Sequence, residues 1–287
     1  MGRIGFYIFY ALNFVITLLP LKILYIFSDL LFLILYYFPS YRRKIVTANL
    51  KNSFPGMSET ERHIIEKRFY RHLSDLFVET LKLTHLSNNN LKKRYTFSNP
   101  GVLENLYDSG RDLVVVHSHY NNWDWLVCLP LYTRYKIITI FKPLQNKLFN
   151  NFINKLRSRN NIILTPMTHV VRDITENRQK GVRSLYGFLA DQSPAKPDIW
   201  YRTTFLNQDT PVYLGIEKIA KKYDMPVVFF KVQKIKRGYY NLTAELLFGN
   251  TRDLPEHLIT DTHVKKLESL ICEKPEYWIW THRRWKY

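Results

Sequence analysis

The chain has 287 residues, of which 46% are hydrophobic and only 10 are glycine and 13 proline; that length allows one large domain with an appendage or two small ones, and that composition excludes disordered, collagen-like and low-complexity chains. Lys+Arg 42 against Asp+Glu 24 leaves a net charge of +18, a surplus suited to meeting phosphate, an anionic membrane surface or an acidic partner protein. The 2 cysteines, Cys128 and Cys272, make neither a disulfide framework nor a metal-like pair, which points to a reducing compartment.

Residues 4–19 carry no ionisable side chain other than tyrosine, and residues 21–38 carry only Lys22 and Asp29. As helices these stretches would be roughly 24 and 27 Å long, close to a bilayer core of about 30 Å. Pro20 stands between them, where a helix kinks or breaks. The pattern predicts a membrane anchor over residues 1–40 that contains a transmembrane helix, or two shorter helices in the interface. A second apolar run following the first argues against a cleaved signal peptide. Tyr41-Arg42-Arg43-Lys44 closes the run with clustered positive charge, which by the positive-inside rule leaves residues 41–287 on the cytoplasmic face of the membrane. The anchor surface exceeds what the rest of the chain can bury, so the remainder is expected to fold without it.

A helical lead-in follows over residues 58–86. Ser58 and Glu61 have the spacing of a capping box, and Ile65, Phe69, Leu73, Leu76 and Leu83 recur at helical intervals. From residue 112 short β-branched runs appear: Leu113–Val116, Ile137–Phe141, Ile162–Leu164, Leu185–Leu189 and Val227–Val232, separated by longer segments of helical character. Such alternation predicts an α/β fold, with a mostly parallel or mixed central sheet flanked by helices and ligands gathered at the C-terminal ends of the strands.

The first strong strand runs into His117-Ser118-His119-Tyr120-Asn121-Asn122-Trp123-Asp124. His119 and Asp124 stand in an H-x4-D arrangement, in which a carboxylate can hold an imidazole while its free nitrogen removes a proton from a hydroxyl. No nucleophile elbow accompanies them, so direct attack by an acceptor hydroxyl is favoured over a covalent acyl-enzyme. Two other readings remain open here. His117 and His119 alternate along a strand and would bind zinc together with Asp124, although the other histidines form no supporting motif. Alternatively, His119 is hydrogen-bonded in a turn while Asp124 caps the next helix.

Taken with its neighbours, the motif resembles that of the late acyltransferases of lipid A biosynthesis, the family of the Kdo2-lipid A lauroyl- and myristoyltransferases, within the wider H-x4-D/E glycerolipid acyltransferase group. The resemblance spans the chain. It is carried in order by the apolar segment ending in Tyr41-Arg42-Arg43-Lys44, by Asn49-Leu50-x-Asn52-Ser53-Phe54-Pro55, and by His119–Asp124. It continues through Phe141-Lys142-Pro143-Leu144-x-Asn146, Leu189-Ala190-Asp191-Gln192, Pro211–Lys222 and the terminal Tyr277-Trp278-Ile279-Trp280-Thr281-His282-Arg283-Arg284-Trp285-Lys286.

The resemblance implies catalysis by His119 and Asp124, with no metal and no cofactor, and transfer of a fatty acyl chain from the phosphopantetheine thioester of acyl carrier protein to a hydroxyl of a lipid A precursor. It further implies Lys142, Asp191, Gln192, His282 and Arg283 as substrate-binding residues, and the cytoplasmic face of a bacterial inner membrane as the location. The partners would be acyl carrier protein, an anionic membrane and a phosphorylated glycolipid acceptor. The charge surplus fits these three. The family often has glutamate in place of Asp124 and arginine in place of Lys142; the second difference exchanges bidentate phosphate contact for a point charge. The interrupted basic run Lys231-Lys234-Lys236-Arg237 reads as a solvated hairpin face, with docking of the carrier protein as the lesser alternative. The same chemistry would serve an amino-acid-linked lipid, a lysophospholipid or a pigment precursor as acceptor. From another class, a non-enzymatic basic protein of the membrane surface is disfavoured by a histidine and an aspartate at a strand-to-helix junction, and no nucleic-acid-binding signature is present.

Overall fold

A computed structural model describes residues 2–38 and 41–287. The chain opens with helices α1 (Arg3–Ile16) and α2 (Leu21–Tyr37), separated at Pro20, and continues through α3 (Arg43–Ser53) and α4 (Glu59–Lys82). The capping box forms as predicted: the Glu61 amide donates to Ser58 Oγ at 3.2 Å and the Ser58 amide to Glu61 Oε2 at 2.7 Å. Helix α5 (Asn88–Arg94), strand β1 (Tyr95–Phe97) and α6 (Gly101–Asp108) lead into β2 (Leu113–His117), and a 3-10 segment follows over Asp124–Leu131. Then come β3 (Lys136–Phe141), α7 (Lys147–Arg157), β4 (Ile163–Pro166), α8 (Val170–Gln179) and β5 (Ser184–Leu189). A hairpin of β6 (Tyr201–Phe205) and β7 (Gln208–Val212), α9 (Gly215–Tyr223), β8 (Val227–Lys236), β9 (Tyr239–Phe248) and α10 (Leu258–Glu273) complete the fold.

Seven strands form one sheet in the order β1-β9-β8-β2-β5-β3-β4. Every neighbouring pair is parallel except the β8–β9 hairpin. All five strands read from the sequence are present, and the α/β expectation holds. Because side chains alternate across a strand, Val114, Val116, Ile138, Ile140, Tyr186 and Phe188 enter one core with residues of α3, α4, α8, α9 and α10. Leu113, Val115, Ile137, Leu185, Val228 and Phe230 enter the other, where Leu91 of α5, Leu103 of α6, Trp125 and Phe152 of α7 cover them.

The N-terminal segment differs from the expectation. Helices α1 and α2 have 14 and 17 residues, about 21 and 26 Å, and no helix among the described residues is long and apolar enough to cross a membrane. The expected transmembrane helix is therefore corrected to a pair of short helices laid against the domain. Residues Leu21, Leu24, Ser28, Phe32 and Tyr36 form the buried face of α2, which packs along α4. Ser28 Oγ donates to Asp75 at 2.8 Å and Tyr25 Oη to Glu79 at 2.7 Å. The opposite faces remain bare, with Ile4, Tyr7, Leu12, Val15, Ile26 and Leu30 all more than half exposed. The expected boundary between residues 40 and 41 falls at a pair, Pro39 and Ser40, outside the described residues.

Helix α2 supplies one side of the core, so the expectation that the rest folds alone is revised. Fully burying a large apolar side chain is worth roughly 1.5–3 kcal/mol, and four such side chains of α2 are buried. Deleting residues 1–40 is expected to abolish the cooperative thermal unfolding transition of the remainder, measured by circular dichroism in detergent. A deletion protein that melts cooperatively near the full-length temperature would contradict this.

Candidate active site

Strands β2 and β5 are parallel and pair His117 with Leu189, and the ladder continues as the Ala190 amide donates to the His117 carbonyl at 3.0 Å. Two residues beyond that pair on each strand stand His119 and Asp191, so the register itself brings them together. His119 Nδ1 lies 2.8 Å from Asp191 Oδ1, and the His119 amide donates to Asp191 Oδ2 at 2.9 Å. The Trp278 indole also donates to Oδ2, at 2.8 Å. Trp278 is held there because the C-terminal segment bridges back to Tyr120, with the Asn121 amide donating to the Tyr277 carbonyl at 2.9 Å. Burial opposes ionisation of Asp191, but the charge of His119 and these donors outweigh it and hold the carboxyl down at about 2.

An ionised carboxylate on Nδ1 places the ring proton there and leaves Nε2 as the free base. Nε2 faces the Gln192 side-chain amide at 3.4 Å, and Trp123 meets the ring edge-to-face at 4.9 Å. The His119 side chain is 15% exposed while Asp191 is closed off completely, so the base can be reached from outside and its orienting group cannot.

The spacing argument assigned that orienting role to Asp124, and the structure corrects it. Asp124 makes no hydrogen bond to His119; its Oδ1 takes the Arg157 guanidinium at 2.8 Å and its Oδ2 the Thr80 hydroxyl at 2.9 Å. The reason is the backbone between them. Asn121 turns the chain with φ 56°, a conformation asparagine tolerates, and the Asn122 side chain accepts from the Trp125 amide at 3.0 Å. The turn thus aims Asp124 toward α7 and α4. Asn122 also donates to buried Glu79 at 2.7 Å.

The other residues singled out from the sequence divide. Gln192 joins His119, and so does His282 in part: it is half-buried, its Nδ1 has no partner among the described residues, and burial with the Arg284 charge nearby holds it down at about 4 despite Asp191. Arg283 is exposed, while its neighbour Arg284 is buried, with Nε and Nη1 unpartnered among the described residues. Burial lowers Arg284 to about 10. The inward cation of the terminal motif is therefore Arg284. Lys142 is exposed just beyond β3, without an ion pair among the described residues, and the cation on the H-x4-D carboxylate is Arg157. His117 points inward, with Nδ1 unpartnered and burial lowering it to about 4. No group of three histidine, cysteine or acidic side chains placed to hold a metal occurs among the described residues, so the zinc geometry considered for His117, His119 and Asp124 does not form.

A family model described as bacterial lipid A biosynthesis acyltransferase matches residues 1–287. The chain belongs to that family. No curated protein matches it. Among solved structures, the crystal structure of the 1-acyl-sn-glycerophosphate acyltransferase PlsC from Thermotoga maritima matches at 15% identity and a TM-score of 0.38, covering 93% of this chain and 100% of that one. For a lipid acyltransferase the cavities beside the site have a clear use. One apolar cleft of about 540 Å3 runs from Asp124, Thr80 and Trp123 between α1, α2, α4 and α7, past Leu35, Phe77 and Phe152. A narrow slot of about 60 Å3 lies beneath Asp124 and Arg157 among Val115, Ile137 and Leu185.

Sequence reasoning missed Arg157, Thr80 and Glu79 as members of this site. Arg157 and Thr80 carry no local signal, since they come from α7 and α4 and meet Asp124 only in the folded chain. Arg284 stands in the terminal basic motif, and the structure separates it from exposed Arg283 by burying it as it buries Trp278 and Trp280.

Proposed function

We propose that this chain is an O-acyltransferase that moves a fatty acyl group from the thioester of acyl carrier protein to a hydroxyl of a lipid A precursor at the cytoplasmic face of a bacterial inner membrane. The observation that carries this reading is the His119–Asp191 pair at the paired ends of β2 and β5, inside a chain matched along its whole length by the family model. His119 Nε2 takes the proton of the acceptor hydroxyl as its oxygen attacks the thioester carbonyl. Asp191 keeps Nδ1 protonated and stabilises the imidazolium. The tetrahedral intermediate then collapses, the carbon–sulfur bond breaks, and the proton passes from His119 to the departing thiolate of phosphopantetheine. Arg157, held by Asp124, supplies the positive charge nearest the apolar cavities and is suited to the developing oxyanion. Lys142, Arg283 and His282 are then contacts for the phosphates of the acceptor at the rim, and the +18 charge favours an acidic carrier protein.

The bare faces of α1 and α2 support membrane association without a span. Contiguous exposed apolar surface of this kind marks an interaction site, and helices lying in the interface need only one apolar face. The 540 Å3 cleft opens under the same hairpin, so an acyl chain could enter from the lipid side. The test is acyl transfer by purified protein from acyl carrier protein thioester to a lipid A precursor, with mass spectrometry of lipid A from a deletion strain. A lipid A of unchanged mass in that strain, with a different lipid losing an acyl chain, would replace the acceptor; absence of any transfer would overturn the reading.

A further inference from the structure

A third cavity, apart from His119, is an open cleft of about 560 Å3 bounded by α2, α4, the β8–β9 hairpin and the turn at residues 275–277. The basic run read as a solvated hairpin face is partly folded into it, which corrects that expectation. Lys234 Nζ reaches Asp75 at 3.3 Å, and Arg237 reaches Asp75 at 2.6 Å and Asp29 at 2.7 Å. Both carboxylates are thereby committed. Arg68 and Arg71, one turn apart on α4, line the same cleft, exposed and without hydrogen bond or ion pair among the described residues; Arg71 merely lies over the Phe32 ring at 5.0 Å. Glu276 is the third carboxylate of the wall, against four cations.

His72 supplies the independent sign. It is 3% exposed, and its Nδ1 lies 3.3 Å from Lys234 Nζ. An ammonium can only donate, so Nδ1 accepts and Nε2 carries the proton. That buried N–H has no acceptor among the described residues, an arrangement that costs stability unless a ligand supplies one. The unmet groups of the cleft are therefore mostly donors, two guanidiniums and an imidazole N–H, against the single carboxylate of Glu276, which also has no partner among the described residues. Beside them Ile26, Leu30 and Leu33 form an exposed apolar stripe on α2.

We propose that this cleft binds the phosphate of a membrane lipid, Arg68 and Arg71 gripping its oxygens while the acyl chains lie along the α2 stripe. The proposal rests on the reading of α1 and α2 as a membrane-facing hairpin. It gives that hairpin a fixed depth and orientation, since a phosphate held at α4 sets the headgroup level against Ile26 and Leu30. Charge-assisted contacts from arginine to phosphate are short and directional, which distinguishes a pocket from the diffuse attraction of a basic surface.

The test uses the full chain in a non-ionic detergent, titrated calorimetrically with dihexanoyl phosphatidylglycerol and, separately, with inorganic phosphate. One saturable site is expected for the lipid, weakened about tenfold or more in Arg68→Gln/Arg71→Gln and unchanged in Lys218→Gln/Lys222→Gln, which removes the same charge from the exposed face of α9. Equal weakening in both double variants would reduce the effect to surface charge and overturn the proposal, as would absence of saturable binding. Inorganic phosphate binding as tightly as the lipid would overturn the lipid assignment in favour of a free anion. Flotation with phosphatidylglycerol vesicles separates the two readings: failure of the wild-type chain to float, with soluble lipid still bound, would refute the membrane-facing hairpin and leave the phosphate site standing.

Discussion

Replacing His119 by alanine is expected to lower turnover by roughly two to four orders of magnitude, and Asp191→Asn to do nearly as much, with the fold retained in both. Three donors converge on Asp191: the His119 ring, the His119 amide and the Trp278 indole. An asparagine offers one acceptor oxygen and brings two hydrogens of its own. With the oxygen on the amide and indole, its NH2 faces Nδ1 and donates to it, so the ring proton moves to Nε2 and the base is lost. A tautomer reversal of this kind removes about four orders of magnitude in a comparable triad. Asp124→Ala is also expected to lower turnover, but by releasing Arg157, with the His119 tautomer intact. Nitrogen-15 NMR of the histidine rings decides between them: reversal in Asp191→Asn alone supports the assignment, and reversal in Asp124→Ala would restore the partner inferred from spacing. Near-normal activity of a folded His119→Ala protein would sink the mechanism altogether.

Asp191 also links stability to acid. Its folded carboxyl sits at about 2, below its ordinary value of 3.8. A depressed carboxyl contributes stability that is present above the ordinary value and is lost as pH falls through the folded one. The wild-type chain should therefore lose stability between about pH 4 and 2 more steeply than Asp191→Asn, which has no charge to lose.

What the sequence shows of this fold follows from locality. The capping box at Ser58, the five strand cores and the strand-to-turn position of His119 are all set by residues within a few positions of one another, and all form. The partner of the histidine is not local. An H-x4-D spacing places Asp124 near His119 in sequence, but φ at Asn121 and the bonds of Asn122 decide where its side chain points, and they aim it at Arg157. Asp191 was legible as a polar residue at the end of a strand; that this strand lies beside β2, in a register that matches His117 with Leu189, is a property of the sheet order. The transmembrane alternative for the apolar N-terminus falls for a similar reason. Composition reports that residues 4–38 are hydrophobic, yet the split between a face on α4 and a bare face appears only once α4 is in place. The same holds for Lys234 and Arg237, whose partner Asp75 lies far back in the chain on α4.

Glu79→Ala is expected to cost on the order of 3 kcal/mol and, for a chain of this size, to lower the melting temperature by roughly 6–12 °C. Glu79 is fully buried in α4 and gathers three elements. Its Oε1 accepts from Tyr25 of α2, and its Oε2 from both Asn122 of the histidine loop and Tyr240 of β9, each at 2.7 Å. Its backbone carbonyl takes the Trp125 indole at 3.0 Å. Alanine leaves the Asn122 amide and the Tyr240 hydroxyl without an acceptor in a closed interior, and each such loss costs about 1–3 kcal/mol. Activity should fall with stability, because Asn122 fixes the turn three residues past His119. Glu79→Gln separates hydrogen bonding from charge. Burial already pushes the Glu79 carboxyl up from its ordinary value, with Asp75 acting in the same direction, so a neutral side chain is not foreign to the site. Its amide oxygen can take the place of Oε2 and keep both buried donors, while its NH2 faces Tyr25, whose hydroxyl can turn to accept. The glutamine variant is therefore expected to stay within about 1 kcal/mol of the wild type and to retain most of the turnover. Thermal unfolding and saturated turnover measured on both variants decide it: equal damage in the two would assign the role of Glu79 to its charge, and an alanine variant that melts with the wild type would show that the network does not hold the histidine loop.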